Sequence, residues 1–289
     1  MPSGSDLDPQ EASATATEAG APVPPLRAAA FFDVDNTIMR GASLFHLARG
    51  LYRRRFFTAR DILRFARHHL RFRWLGENLD HLAHVRELAL GFVAGHSVSE
   101  LTRVGEEVFD ELMARKIWPG TRSLARAHMA AGEPVWLVTA TPVEVAEVIA
   151  RKLGLAGALG SVAERVDGIY TGRLTGPALH GEAKARAVRE LAEREGLDLA
   201  RCAAYSDSAH DIPLLELVGH PCAVNPDRRL RALAESRGWI VRDFRTGRRA
   251  FGIGLRAAAS TGAGATAATV AVAAVRRCHR PRRRGSSTR

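Results

Sequence analysis

The chain has 289 residues, 46% hydrophobic and 25% charged, with a formal net charge of +11. That length and apolar content fit one large domain with a smaller second one. Three scattered cysteines (Cys202, Cys222, Cys278) exclude a disulfide scaffold and a zinc cluster.

The charge is uneven. Residues 49–73 hold nine Arg and one acid, and residues 276–289 hold seven Arg and no acid, so the rest is net negative. Residues 1–27 are rich in Ala, Ser, Thr, Pro and Glu without periodicity and read as a disordered leader. Asp6, Asp8 and Glu11 argue against a secretory signal, so a cytoplasmic location is expected.

An apolar run, Ala28 to Phe32, reads as the first buried strand and ends in Asp33-Val34-Asp35-Asn36-Thr37. Ligands of open α/β sheets bind outside the carboxyl ends of strands. Two carboxylates carried there would be costly without a compensating cation. The alternative is a polar turn whose Asp caps a helix.

From Gly41 to about Lys116 the pattern is helical with no convincing strand, interrupted by Gly91, Gly95 and Gly105. Ile62, Phe65, Ala66, His69 and Leu70 share one face, and Leu79, Leu82, Val85 and Leu88 repeat it. Residues 41–116 therefore read as a helical insert between core segments 28–40 and 117–250. Pro119-Gly120 marks the return to the core. A helix at 121–131 leads to the strand Trp136-Leu137-Val138, which ends in Thr139-Ala140-Thr141-Pro142. A helix at 143–152 follows. Ser161 to Leu174 reads as a strand and hairpin turning at Asp167-Gly168.

Gly181-Glu182-Ala183-Lys184 opens a helix running to Glu195. Ala203-Ala204-Tyr205 is a further strand, ending in Ser206-Asp207-Ser208-Ala209-His210-Asp211. A helix at 212–218, a short strand at 222–224 and a helix at 227–236 complete the succession. Alternating strands and helices imply an α/β fold, a Rossmann-like parallel sheet with helices on both faces. Residues 251–289 form an Ala-rich segment and a basic tail. The uncharged stretch 257–275 is long enough to span a bilayer, but its Ala, Gly and Thr supply little apolar area to drive insertion.

Asp33-x-Asp35-x-Thr37, Thr139 at a strand end, Lys184 at a helix start, and Asp207-x-x-x-Asp211 occur in that order. In this the chain resembles the haloacid dehalogenase-like hydrolases, and within them the phosphoserine phosphatase-like subfamily (subfamily IB), from roughly Phe31 to Asp243. The helical insert is similar to that subfamily's all-helical cap domain after strand one. The resemblance implies a Mg²⁺-dependent phosphomonoester hydrolase acting on a small molecule through an aspartyl phosphate. By it, Asp33 is the nucleophile and a Mg²⁺ ligand. Asp35 is the general acid/base and binds Mg²⁺ through its backbone carbonyl. Asp207 is the further metal carboxylate. Thr139, with Ala140, holds the phosphoryl oxygens, and Lys184 neutralises them. Thr37 and Asp211 support the site. These types fit the chemistry, since phosphoryl transfer requires positioning and charge neutralisation, a nucleophile and a proton donor. Each also has a plainer reading: Thr139 as a helix cap, Lys184 as a solvated helix residue, Asp211 as a helix-start acid.

The chain departs from phosphoserine phosphatases in two places. The run Ile38–His46 holds no glutamate to read a serine amine, and Thr139-Ala140 stands where those relatives favour Ser-Gly. A general phosphatase is expected, with a specific phosphoserine phosphatase, or a non-catalytic membrane-peripheral phosphate-binding protein, as alternatives. Arg60, Arg64, Arg67 and Arg71 form one helix stripe, either a solvated face or an anion-facing one. Weak association with anionic membranes through residues 49–73 and 276–289 is one expectation from the charge. Nucleic-acid binding is not expected, because no recognition fold accompanies the arginines. His81 and His84, a helical turn apart, read as surface residues.

Overall fold

The structure is a computed structural model, and it describes residues 27–56 and 93–245. Six parallel strands form one sheet, in the order β3-β2-β1-β6-β7-β8. They are β1 (Ala30–Phe32), β2 (Val135–Pro142), β3 (Gly157–Ser161), β6 (Ala203–Ser206), β7 (His220–Val224) and β8 (Ile240–Arg242). Strands β4 (Ala163–Val166) and β5 (Ile169–Leu174) form a separate antiparallel pair. Among the described residues the α-helices are α1 (Ser43–Arg53), α2 (Val98–Val108), α3 (Pro119–Ala130), α4 (Val143–Leu153), α5 (Glu182–Glu195), α6 (Ile212–Leu217) and α7 (Arg228–Arg237).

β1 is buried on both faces, as its unbroken apolar run requires. Ala30 and Phe32 enter one core with Val104 and Val108 of α2 and Val145 and Ile149 of α4. Ala29 and Phe31 enter the other, with Val188 and Leu191 of α5, Leu214 of α6 and Leu230 of α7. Helices thus cover both faces, as the alternating pattern predicts. The chain runs from β1 outward through β2 and β3, then returns to place β6 on β1's other side. The switch in strand order therefore lies between β1 and β6, where such sheets open a crevice at their carboxyl ends.

Side chains below that crevice tie the two strands. Phe32 pairs in register with Tyr205 and stacks on its ring at 4.2 Å. Buried His128 bridges the Tyr205 hydroxyl (2.7 Å) and the Glu133 carboxylate (2.5 Å). This anchors α3 to β6, one residue before the polar turn begins.

The expected hairpin turns at Asp167-Gly168, both with positive φ (50° and 77°), the conformation a two-residue loop demands. The sequence reading missed β3 ahead of it. Gly157-Ala158-Leu159-Gly160-Ser161 has little intrinsic strand preference. Its glycines answer to packing: a Cβ at Gly157 would lie 2.5 Å from the Trp136 ring, and one at Gly160 would lie 2.6 Å from Val143 Cα. β8 was also missed, being only three residues long. Gly105 does not interrupt a helix but lies buried within α2, where a Cβ would meet Val148 of α4 at an ordinary 3.7 Å. Pro142 ends β2 and is the residue before α4, as the 143–152 helix predicts.

Of the expected helical insert, α1, α2, a π-helical stretch at Phe109–Met113 and a 3₁₀ turn at Ala114–Lys116 are described. The arginine stripe, both periodic faces, His81, His84, residues 1–26 of the leader and residues 246–289 lie outside the described residues. No helix among the described residues is long and apolar enough to cross a membrane. In the basic run, Arg54 is paired with Glu107 (2.8 Å) and Glu111 (2.7 Å), so part of that charge is spent within the fold. Cys202 and Cys222 are buried and in no disulfide, behaving as packed apolar side chains.

Candidate active site

Asp33 follows β1 directly, and its backbone N–H donates to the Tyr205 carbonyl at 2.9 Å. β6 then carries Ser206, Asp207 and Asp211 to the same end of the sheet. Lys184 arrives from the other side of the crevice, one turn into α5. The cap of α5 is Gly181, with φ 53° and ψ −124°, a conformation closed to residues with a Cβ.

Lys184 Nζ donates to Asp33 Oδ1 at 2.5 Å and to Asp211 Oδ2 at 2.7 Å. All three side chains are at least nine-tenths buried. Ser206 Oγ donates to the same Asp211 oxygen at 2.7 Å and accepts from Ser208 N at 3.2 Å. Asp211 therefore bears on the lysine and the Ser206 hydroxyl. Thr37 Oγ1 donates a long bond, 3.4 Å, to Asp207 Oδ1, while its carbonyl accepts from Thr121 Oγ1 at 2.8 Å.

Thr139 is buried on β2, two residues beyond Leu137, which is the register partner of Phe32. Half-buried Ala140 follows it, and its carbonyl accepts from Ser161 Oγ at 2.8 Å. Asp35 Oδ1 accepts from Ser43 N (2.8 Å) and Ser43 Oγ (2.5 Å) at the start of α1. Ser43 Oγ in turn lies 2.6 Å from Thr141 Oγ1, which lies 3.2 Å from Thr139 Oγ1. The structure thus brings Asp33, Lys184 and Asp211 into one group, Thr37 and Asp207 into a second, and Asp35 and Thr139 into a third through two intervening hydroxyls.

Sequence reasoning did not single out Ser43, Thr141, Ser206, Asn225 or Asp227. Asn225 Nδ2 donates to the Asn36 carbonyl at 3.0 Å and joins the end of β7 to the loop after β1. Asp227 accepts from Ala209 N at 2.7 Å, caps α7 through Leu230 N at 2.7 Å, and donates its own N–H to the Asp207 carbonyl. The signal for this pair was present: Asn225-Pro226-Asp227 is a polar turn ending an apolar strand, the same pattern that marks Asp33.

The electrostatics show a site short of positive charge. Burial, opposed by Lys184 and reinforced by Asp211, Asp35 and Asp207, pushes the Asp33 carboxyl up to about 8. Burial, then Asp211, pushes Asp207 up to about 7. Burial disfavours the Lys184 charge, but Asp33 and Asp211 outweigh it and hold its pKa above the ordinary value. The proton of the Asp33–Lys184 pair therefore sits on the lysine. Four carboxylates converge on a crevice in which one ammonium is hydrogen-bonded to two of them. A divalent cation bound by oxygen ligands fits that imbalance, and hard oxygen donors suit Mg²⁺. Among the described residues no three His, Cys, Asp or Glu side chains gather as a metal cage. The groups that could hold such an ion are fewer: the Asp33 and Asp207 carboxylates and the Asp35 carbonyl.

A family model described as haloacid dehalogenase-like hydrolase matches residues 30–216. A phosphoserine phosphatase of Mycobacterium tuberculosis (strain H37Rv) is 52% identical over 276 residues, 91% of this chain and 90% of that protein. Among solved structures, a Bordetella pertussis Tohama I protein of unknown function has a TM-score of 0.66 at 34% identity, covering 76% of this chain and 99% of the other. A phosphoserine phosphatase solved as a phospho-aspartyl intermediate analogue has a TM-score of 0.52 at 18% identity, covering 75% and 93%, a likeness of fold.

Proposed function

We propose that this chain, which belongs to the haloacid dehalogenase-like hydrolase family, is a Mg²⁺-dependent phosphatase of small phosphomonoesters. The observation that carries the reading is the buried Asp33–Lys184–Asp211 group at the carboxyl end of the central strand. A nucleophilic carboxylate must approach a phosphoryl group that repels it, so it needs fixed positive charge beside it.

In this reading Asp33 attacks phosphorus and becomes an aspartyl phosphate. Lys184 keeps Asp33 oriented and neutralises the phosphoryl oxygens, with Asp211 and Ser206 holding the lysine in place. The Thr139 hydroxyl and the Ala140 backbone bind those oxygens. Asp35 gives its proton to the departing ester oxygen, then takes one from the water that attacks the phosphorus and releases phosphate. A Mg²⁺ held by Asp33, Asp207 and the Asp35 carbonyl would supply the remaining positive charge. Thr37, through Asp207, supports that shell.

The substrate alcohol is the finer question. The 52% identical relative is named for phosphoserine, which keeps a specific phosphoserine phosphatase as a second reading. Against it stands the lack of a glutamate over residues 38–46, together with the commitment of the Ser43 hydroxyl to Asp35. We therefore expect phosphoserine not to be the preferred substrate. The test is phosphate release from a panel of phosphomonoesters that includes phosphoserine, with Mg²⁺ and after chelation. Release from several esters, dependent on Mg²⁺, is expected. Dominance of phosphoserine in kcat/KM would establish the second reading, and no release from any ester would refute both.

A further inference from the structure

We infer that Ser43 and Thr141 are positioning residues for the proton-transfer step, acting through a one-way chain of hydroxyls that ends on Asp35. The inference rests on the phosphatase reading above, and adds two residues and a direction to it. Ser43 is fully buried and Thr141 is 2% exposed. At Ser43 the backbone N–H already supplies Asp35 Oδ1 with one hydrogen bond. The side chain adds two more contacts, to Asp35 Oδ1 at 2.5 Å and to Thr141 Oγ1 at 2.6 Å.

Counting protons fixes the direction of the chain. A serine hydroxyl has one proton to donate, and Ser43 gives it to the Asp35 carboxylate. Ser43 must then accept from Thr141. Having spent its own proton, Thr141 accepts from Thr139 Oγ1 at 3.2 Å, a long bond that Thr139 exchanges for one to the phosphoryl oxygens when substrate binds. The order is Thr139 to Thr141 to Ser43 to Asp35. The bonds from Ser43 converge on Oδ1, which leaves Oδ2 as the oxygen to carry the transferable proton. The chain also crosses elements. Ser43 opens α1 and Thr141 belongs to β2, so the acid after β1 is oriented by the helix that begins the insert and by the strand that carries the phosphate site.

In the step concerned, a bond forms between Asp33 and phosphorus as the ester P–O bond breaks. The departing oxygen takes the Asp35 proton and leaves as the alcohol. The need for that proton depends on the leaving group. An alkoxide requires it, whereas p-nitrophenolate departs without it. A defect confined to acid positioning therefore separates the two kinds of ester in kcat/KM, which reports events up to loss of the alcohol. A general structural defect does not.

The experiment compares glycerol phosphate with p-nitrophenyl phosphate in wild type, Ser43→Ala, Thr141→Val and Thr141→Ser, each checked for its unfolding midpoint. Ser43→Ala and Thr141→Val should lower kcat/KM for the alkyl ester by at least about tenfold, a part of the roughly 10²–10⁴-fold that proton transfer contributes. The loss on the nitrophenyl ester should stay below about threefold on the same grounds. Thr141→Ser, which keeps the hydroxyl, should restore the wild-type ratio. Equal losses on both esters, or none on either, in an active wild-type background would overturn the inference while leaving the phosphatase reading intact. A wild type that hydrolyses neither ester would overturn the phosphatase reading itself, and the inference with it.

Discussion

Replacing Lys184 by Met removes the ammonium that two buried carboxylates share while nearly conserving the length of the side chain. Lys184 is 3% exposed and bonded to Asp33 at 2.5 Å and Asp211 at 2.7 Å. Removing one partner of a buried ion pair costs about 3–5 kcal/mol, because the other charge is stranded. Asp211 keeps its bond from Ser206, and Asp33 can escape its charge by taking up a proton, so the lower end, about 3 kcal/mol, is expected. At about 2–4 °C per kcal/mol for a domain of this size, that is a fall in Tm of roughly 6–12 °C. The loss should also depend on pH. A carboxyl whose folded pKa lies above its unfolded value opposes folding when both states are ionised, and the penalty drains away as pH falls through the folded value. Asp33 is already pushed up to about 8, and Lys184 is the group holding it down. The Asp33-linked part of the Lys184→Met loss should therefore open as pH rises past about 8, where wild-type Asp33 ionises and the variant's does not, and be absent near pH 5.5, where both are protonated. Urea unfolding of both proteins in chelator at pH 8.5 and pH 5.5 measures this. Equal stability of variant and wild type at pH 8.5, or a loss as large at pH 5.5, would refute the charge-based reasoning.

Two other perturbations address the metal and the strand scaffold. Asp207→Ala should raise the Mg²⁺ concentration for half-maximal activity more than about tenfold, since losing even a residue that only supports a metal ligand costs about that much, as read from a Mg²⁺ titration of phosphate release. Gly160→Ala would place a Cβ 2.6 Å from Val143 Cα and 2.8 Å from the Thr141 carbonyl, both backbone. It should cost about 1–3 kcal/mol in denaturant unfolding and, by displacing the end of β2, also lower kcat.

The parts of the site that the sequence makes legible are those at which the pattern changes abruptly. An apolar run ending in Asp33-Val34-Asp35 shows both a buried strand and an expensive polar end, and β6 repeats the arrangement before Asp207. Lys184 is legible because a glycine starts its helix three residues earlier. The hydroxyls are a different matter. Ser43, Thr141 and Ser206 belong to no spacing pattern, and each matters only because separate strand ends meet above one crevice. Thr141 looks like Thr139 in the sequence, yet the fold turns one toward the other and both toward Asp35. β3 was hidden for a related reason. Its glycines are set by the Trp136 ring and the start of α4, tertiary neighbours that outweigh strand preference.

The central claim is that Asp33 attacks phosphorus. The direct measurement is mass spectrometry of protein quenched in acid during turnover of a phosphomonoester with Mg²⁺, compared with Asp33→Asn treated identically. One phosphoryl group should appear on the peptide containing Asp33 and be absent from the variant. That variant should remain folded and release phosphate at least about 10³-fold more slowly, as loss of a nucleophile does. Turnover with no phosphoryl adduct at Asp33, together with near-normal phosphate release by Asp33→Asn, would contradict the account.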